Sequence, residues 1–586
     1  MNLKPNFSVC FIGRNEGAVL QKALDSLKDF KEKGGEICLL STGSTDNTVQ
    51  IAKDFGCKTE EVGSKFMMTL TKEQAEGINK TFLVEEEEPI VKEGGKLFDF
   101  ASARNYCADN LATNDMVAWL DCDEAYTALN VEAICKLIDE GIEQFEYQFV
   151  FSHDWANNPL LQFVQSKFYN KKKMKWTGVV HEVISGGGKR QYLTEDVLKN
   201  EHWQNGGTNR AGYLVGLALD CYENQGKDRQ SHYFARELMW HDRPKSAIKE
   251  FERYLKISWW KPERSQSMVY IGDCYKKLGE PEKAVEWYHK AFQEESARRE
   301  PLIKLAEYYN TKKDLQRIIC YCKAALEIPW SGYYSNNKYY YGHVPHELLA
   351  EAYWCAGNKE AAKEHINKAL EFMPCHGKLL YDYRFHYDLP KISFIVPTLG
   401  RPEGLERCLA SISRLNYPQN LIETIVIEDN PRLGVPKRVK EGFERSVGEY
   451  IVYGSNDCEF TPDCLMIAYL EMKNGNKSLC AFNTGMILPD EGNINEHFMI
   501  KRDFVKEKLN GEIFDCRYRH VGVDNKLHAI AKKYNQFIRS KNAVVNHYHW
   551  TKTGIKDEVY KLAWNEEDVE HDRELLKEDL RILYEK

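Results

Sequence analysis

One stretch of sequence grammar is written twice in this chain, and it leaves few folds open. An apolar run, a polar loop, an amphipathic pattern and a second apolar run with polar or acidic residues at its end read as SVCFIGRNEGAVLQKALDSLKDF…EICLLSTGSTDNT from Ser8. They read again as ISFIVPTLGRPEGLERCLASISRL…ETIVIEDNP from Ile392. Short β-branched and aromatic runs joined by a helical period are strand–helix–strand units, and these build a mainly parallel sheet with crossover helices. Two copies need two sheets. At about 100 to 200 residues per domain, 586 residues have room for both and for a third body between them.

The middle of the chain supplies that third body. From about Asn209 to Pro374 the pattern is helical throughout, and small residues recur in pairs 12 apart: Ala235 with Ala247, Gly272 with Ala284, Ala306 with Ile318, Ala350 with Ala362. The first members stand 37, 34 and 44 residues apart, the last gap holding the insert SGYYSNNKYYYGHV. LGEPEKAVEWYHKAF and AGNKEAAKEHINKALEFMP resemble the second half of a tetratricopeptide repeat, whose period is about 34 residues. Stacked helix pairs of this kind imply a curved surface for a protein partner or for self-association. The expected organisation is therefore 1–208 α/β, 209–388 helical repeats, 389–586 α/β, with YDYRFHYDLP as the linker into the third block.

Charge and cysteine narrow the function classes. Against 88 Asp+Glu stand 80 Lys+Arg, a net charge of −8, so the whole chain has no footprint for polyanions, and only a local basic groove would serve nucleic acid. The 17 Cys are scattered with no CxxC pair, which fits a reduced, cytoplasmic compartment. No apolar run reaches the roughly 18 to 20 residues that span a bilayer, and the start lacks the apolar core of a signal peptide.

Ligands of open parallel sheets bind beyond the carboxyl ends of the strands. There, MVAWLDCDEAY ends an apolar strand in Asp121-Cys122-Asp123-Glu124, two carboxylates two residues apart that suit a divalent cation shared with a diphosphate. Upstream lie GRNE (Gly13 to Glu16), LSTGSTDNT and FDFASARN (Phe98 to Asn105). In this order the motifs resemble family 2 glycosyltransferases of the GT-A fold, over residues 7 to about 208.

The resemblance implies two Rossmann-like nucleotide-diphospho-sugar transferase domains flanking the repeats. It implies Glu16, Ser41 and Asp46 near the nucleotide, Arg104 near the diphosphate, and Asp121 and Asp123 at Mn²⁺ or Mg²⁺. Ser41 departs from the pattern, which usually has Asp. WTGVVHEV offers Glu182 as the base that takes the acceptor proton, with Asp196 in LTEDV as the alternative, and LKNEHW offers His202 as a late metal ligand. In the third block Thr398 and Arg401 follow the first strand, and Glu428 and Asp429 end the second in the donor-binding position. Ser455-Asn456-Asp457 is a degraded acidic motif, leaving Asp457, with Glu459 as a further carboxylate. RHVGVDNKL gives Asp524 as base at a helix start, and VVNHYHW gives His547 or His549 as metal ligand.

Three further features lie outside these motifs. The insertion Ser64 to Leu97 reads as a hairpin or lid near the donor, its Glu85 to Glu88 run as a solvated face. Lys171 to Lys173 with Lys175-Trp176 read as a solvated turn rather than an anionic-acceptor contact. The Tyr333 to Tyr341 insert reads as packing rather than sugar stacking.

The expectation is a two-headed, inverting, metal-dependent glycosyltransferase. It would take a nucleotide-sugar donor, a UDP-sugar in the first place, and a glycan, protein or modified-DNA acceptor. The rival is a scaffold or sugar-nucleotide-binding protein with one or both heads inactive, kept open by Ser41 and by Ser455-Asn456. A nucleotidyltransferase is disfavoured, because no GxGTR-type loop follows the first strand.

Overall fold

The computed structural model describes residues 4–153, 159–203, 211–485, 497–549 and 566–585. Its first apolar runs become strands β1 (Phe7–Gly13), β2 (Glu36–Ser41) and β3 (Lys58–Glu61), buried on both faces along β1 and most of β2. Then come the short pair β4 (Met67–Thr69) and β5 (Lys96–Phe98), β6 (Met116–Trp119), β7 (Glu124–Leu129), and the long antiparallel pair β8 (Gln144–His153) and β9 (Pro159–Asn170). β10 (Met174–Thr177) pairs with β11 (Val183–Gly186), and β12 (Arg190–Tyr192) and β13 (Leu198–His202) return to the main sheet.

The strand order is β3-β2-β1-β6-β9-β8-β13-β7, with β12 on β8. The sheet is parallel from β3 to β6 and again where β13 and β12 meet β8; β9 runs antiparallel to both β6 and β8, and β7 antiparallel to β13. Five of the eight pairings are parallel and three antiparallel, so the mainly parallel reading holds, with antiparallel insertions at β9 and β7. Alternation and apolar runs fix which segments are strands but carry no sign of direction when the partner is distant in sequence. The amphipathic pattern after β1 also divides, into helices Leu20–Asp25 and Lys28–Glu32. Between them Ser26 returns its hydroxyl to the Ala23 carbonyl (2.6 Å), a local bond that competes with the helical ladder.

The second sheet is built from β14 (Ile392–Thr398), β15 (Ile422–Glu428), β16 (Tyr450–Tyr453), β17 (Cys458–Phe460), β18 (Leu479–Asn483), β19 (Phe498–Lys501) and β20 (Phe537–His547). Its order, β15-β14-β16-β19-β18-β20-β17, is that of β2-β1-β6-β9-β8-β13-β7, and the pairing senses agree strand for strand. Cys10 pairs with Trp119 and Ile395 with Tyr453, so residues 121–123 and 455–457 take equivalent places, as do Ser41 and Glu428.

Helices run from Ala211–Glu223 through Gly377–His386 in antiparallel pairs. At Gly272 an added Cβ would lie 2.4 Å from the Tyr288 ring, so the small residue is where the two helices of one repeat touch. The chain parts into two compact units, Met1–Tyr341 and Gly342–Lys586, inside this helical region. In the second unit Ala350, Ile366 and Ala369 share a core with Leu379, Tyr383, Phe394 and Val452. In the first, the helices starting at Ala211 share a core with the insertion: Leu70, Ala75, Ile78 and Phe82 pack with Leu217, Phe234 and Phe251. The expected 208/209 boundary lies outside the described residues.

The insertion is thus a joint, not a lid. Its helix Lys72–Phe82 is closed by a capping box of Thr71 and Gln74, and its acidic run meets the start of the helix Pro244–Ile257. Glu87 lies 3.6 Å from Arg243 and accepts from Ser246 N, and Glu86 lies 3.1 Å from Lys245. Of the lysine cluster, Lys171 is buried and donates to the Ala108 and Ala112 carbonyls at the end of the helix Phe100–Asn110 (2.8 and 2.6 Å). The tyrosine insert packs as expected: Tyr334 stacks on Trp260 and donates to Glu263, and the Arg299 guanidinium lies over Tyr341.

Candidate active site

In the first unit the loops after β1 and β2 are laced together. Asn15, held at φ 60°, accepts from Thr45 N (2.7 Å), and Glu16 N donates to Thr48 Oγ1 (2.8 Å). Asp46 accepts from Gly17 N and Thr48 N, both at 3.0 Å, so its carboxylate braces the two loops. Ser41 is fully buried and accepts from Ser44 N (3.3 Å) within its own turn. Of these two residues, expected beside the nucleotide, Ser41 is enclosed in its turn and Asp46 stays exposed while bracing the loops.

Beyond β6 the two aspartates part company. Asp123 stays half-exposed, and the pairing of β13 with β7 sets His202 opposite Glu124. That register brings His202 Nε2 to 3.0 Å from Asp123 Oδ2. His202 Nδ1 is 3.0 Å from the Phe151 carbonyl, which only an N–H can satisfy, so Nε2 is the nitrogen left for a ligand. The Asp123 contact raises the His202 pKa against the opposing effect of burial. Glu16 stands close by. Burial first, then the charges of Asp123, Asp121 and Asp46, push its carboxyl up, the signature of a site short of positive charge.

Asp121 has no such need. Arg104 Nη2 donates to its Oδ1 (2.8 Å) and Lys167 Nζ to its Oδ2 (2.7 Å). Burial alone would raise the Asp121 pKa, but Arg104 and Lys167 outweigh it and hold the carboxyl well below the usual carboxylate range. Each oxygen accepts from one side-chain cation, so the charge of Asp121, expected at the metal, is already met by Arg104 and Lys167. Arg104 is not presented to a diphosphate. It is buried between Trp119 and Trp176, 5.2 and 5.0 Å from their ring centroids, with Nε donating to Glu182 (2.7 Å). Lys167 also donates to Glu124 (2.7 Å), which accepts from Asn200 (2.8 Å).

Glu182 lies in this lattice at the end of a turn where His181 has φ 51°. Val179 N in the same turn donates to Asp220 of the helix Ala211–Glu223 (2.8 Å), so the helical region fixes the loop that carries Glu182. Asp196 is excluded as the alternative base. It is exposed ahead of β13, at the opposite end of that strand from His202, and the strand alone spans about 13 Å.

In the second unit, Asn456 donates to Thr398 Oγ1 (2.9 Å) and Arg401 Nη1 to Asp457 Oδ2 (3.1 Å). Pairing of Cys458 with His547 puts His547 Nε2 3.5 Å from Asp457 Oδ1. Among the described residues, Asp457, His497 and His547 are the group whose ligand atoms lie within 4.8 Å of one another, all three buried. His549 is outside that group, and Glu459 accepts from Tyr548 Oη (2.8 Å).

Glu428 is exposed at the end of β15. Asp429 turns inward, accepting from Leu433 N (2.7 Å) and Arg438 Nε (3.0 Å), and so organises its own loop rather than a donor. Asp524 is in the first turn of the helix Val523–Lys533. The loop before that helix is held by buried Asp572, which accepts from the backbone N–H groups of Arg519, His520 and Val521 at 2.9, 2.6 and 2.9 Å.

Lys167, Glu124, Asn200 and His497 were not singled out from sequence. The first three belong to β9, β7 and β13, and only the antiparallel register brings them together. His497 had one usable signal, its place immediately before a short apolar run.

Residues 8–61 match the model of the family described as glycosyl transferase family 2. No curated protein matches the chain. Among solved structures, MamA is 14% identical over 28% of this chain and 88% of its own, with a TM-score of 0.24. A TPR repeat-containing protein from Cytophaga hutchinsonii is 16% identical over 30% and 65%, with a TM-score of 0.26. The mannosyltransferase PcManGT from Pyrobaculum calidifontis, solved with GDP-Man and Mn²⁺, is 15% identical over 34% and 68%, with a TM-score of 0.24. Likenesses of this size do not bear on what the chain does. Among the described residues, no helix is long and apolar enough to cross a membrane.

Proposed function

We propose that the chain is a glycosyltransferase with two donor sites, one at the carboxyl ends of each sheet, moving sugar from a nucleotide-sugar donor, a UDP-sugar in the first place. The observation that carries this reading is a recurrence. At equivalent places in both sheets a strand-end aspartate lies against the histidine that ends the last long strand, Asp123 with His202 and Asp457 with His547. The match of residues 8–61 to a glycosyltransferase family supports it for the first unit.

The donor set fits a divalent cation. One carboxylate and one imidazole suit Mn²⁺ better than Mg²⁺, which prefers oxygen ligands alone. When bound, such an ion neutralises the leaving diphosphate. Asp123 and His202 would hold it in the first head, with Glu16 adding negative charge, and Glu182 would take the acceptor proton. In the second head Asp457 and His547 would hold the ion, Thr398, Arg401 and Glu428 would line the donor side, and Asp524 would serve as base. Glycan, protein and modified-DNA acceptors remain alternatives. Two heads on one chain keep the first product at high effective concentration for the second.

A second reading, in which a head binds sugar nucleotides without turnover, draws on Asp121, which Arg104 and Lys167 already neutralise, and on Ser455 at the equivalent place. The test is release of nucleoside diphosphate from a panel of nucleotide sugars with Mn²⁺. Wild type, Asp123→Ala, Asp457→Ala and the double variant are compared. Two donors lost separately in the single variants support two working heads; binding without release by any of the proteins overturns transfer in favour of the second reading.

A further inference from the structure

The two heads differ in what the strand next to the acidic turn sends into it. In the first sheet β9 lies against β6 with Ala118 opposite Phe168, and the next residue along, Lys167, reaches Asp121. In the second sheet β19 lies against β16 with Tyr453 opposite Phe498, and the next residue along is His497. With Trp119 and Tyr453 in equivalent places, Lys167 corresponds to Phe498 and His497 stands one residue further on. Where the first sheet has an acid and a lysine that neutralise each other, the second has Ser455 and an apolar ring, with His497 next to it.

We propose that Asp457, His497 and His547 form a three-ligand site for a nitrogen-preferring divalent cation such as Mn²⁺, Co²⁺ or Zn²⁺, and that it holds the ion without any nucleotide. Three strand pairings build it. β17 with β20 places His547 beside Asp457, Tyr548 N donating to the Asp457 carbonyl (2.9 Å), and β16 with β19 delivers His497. The two rings meet edge to face with centroids 4.6 Å apart, and Tyr453 stacks on His497 at 5.6 Å, so both rings are oriented by packing. Ligand atoms within 4.8 Å of one another need to close by about 1 Å to share an ion at bond lengths near 2.1 Å, a rotamer-scale adjustment.

The partners of Asp457 suit this role. Arg401 takes the outer oxygen, and Ser455 donates to Oδ1, the oxygen that faces His547. A carboxylate oxygen has two lone pairs, so Oδ1 can accept that hydroxyl and still bind an ion, and the hydroxyl fixes its direction. Two imidazoles with one carboxylate are a poor shell for Mg²⁺. Among the described residues the first head offers Asp123 and His202, and a diphosphate would complete the shell. The inference concerns the ion alone and does not depend on either head transferring sugar.

The test uses the full chain carrying Asp123→Ala and His202→Ala, so that the first head is silent, in buffer free of nucleotide. Equilibrium dialysis with Mn²⁺ and titration with Co²⁺ followed by its visible absorption should show one ion per chain, retained against an excess of Mg²⁺ of about a hundredfold. X-ray absorption of the Zn²⁺ form should show two imidazoles. His497→Gln, close in size and polar, should weaken binding by about tenfold or more, with its thermal melt as the folding control. No bound ion, displacement by equimolar Mg²⁺, or a single imidazole each overturns the proposal. The X-ray absorption result decides even if the Gln variant does not fold. Loss of ion binding with donor turnover intact would sink this inference alone.

Discussion

Asp121 and Asp123 are two residues apart and end in opposite circumstances. The first accepts from Arg104 and Lys167 and the second touches a histidine, while both side chains stay partly exposed. Truncating one partner of a buried ionic lattice leaves the other charges uncompensated, at a cost of about 3 to 5 kcal/mol. Arg104→Ala strands Glu182 and half of Asp121 and removes the cation between two tryptophans. We expect it to lower urea-unfolding stability by about 3 kcal/mol, and Glu182→Gln in that background to recover part of the loss. A change under about 1 kcal/mol would mean that water already screens the lattice. Asp123→Ala, by contrast, should leave stability within about 1 kcal/mol while abolishing release from the donor used by the first head.

At the scale of elements, the loop that carries Glu182 is set by a helix some thirty residues later. Gly216 lies where the helix Ala211–Glu223 passes the loop, and a Cβ there would stand 1.9 Å from Val180 Cγ2. Helix propensity alone favours alanine over glycine by about 1 kcal/mol, yet overpacking of this kind costs about 1 to 3 kcal/mol. Gly216→Ala should therefore destabilise the chain on denaturant unfolding and displace Glu182, lowering turnover in the first head while donor binding persists. A stabilised, fully active variant would show that the loop yields freely and does not position the base.

Across the whole molecule, buried histidines set the response to acid. Burial, foremost, holds His232, His343, His386 and His520 below the usual imidazole value, and His232 is fully enclosed with Nδ1 2.9 Å from Ser267 Oγ. A histidine kept neutral in the folded state while the unfolded chain takes up protons makes stability fall as pH drops below about 6.5. His202, raised by Asp123, acts in the opposite sense: its contribution is present below about 6.5 and fades as pH rises through its higher folded value. Among the histidines with a resolved direction four are lowered and one raised, so their share of stability should fall between pH 7.5 and 5.5, opposed by Glu124, Asp220 and Glu250, which burial raises. His232→Gln should make the melting temperature fall less over that range. The same pH dependence in the variant as in the wild type would mean that this ring gains its proton without unfolding.

The sequence by itself determined the strands and helices, since a period of 2 or 3.6 is a local property of side-chain placement. It also determined the repeated grammar and the strand-end acids Asp123 and Asp457 with their late histidines, because each motif is contiguous and its place beyond a strand follows from chain direction. Tertiary structure decided which acids meet a side-chain cation. Asp121 reads from sequence as the twin of Asp123, but Lys167 arrives on an antiparallel strand 46 residues on, and nothing local announces that register. The same holds for Asp196, carried to the far end of β13, for the insertion buried against the helical array, and for His497, brought to Asp457 by the pairing of β16 with β19. Pairing across long loops is set by the burial of whole faces, a property of the assembled sheet rather than of any segment within it.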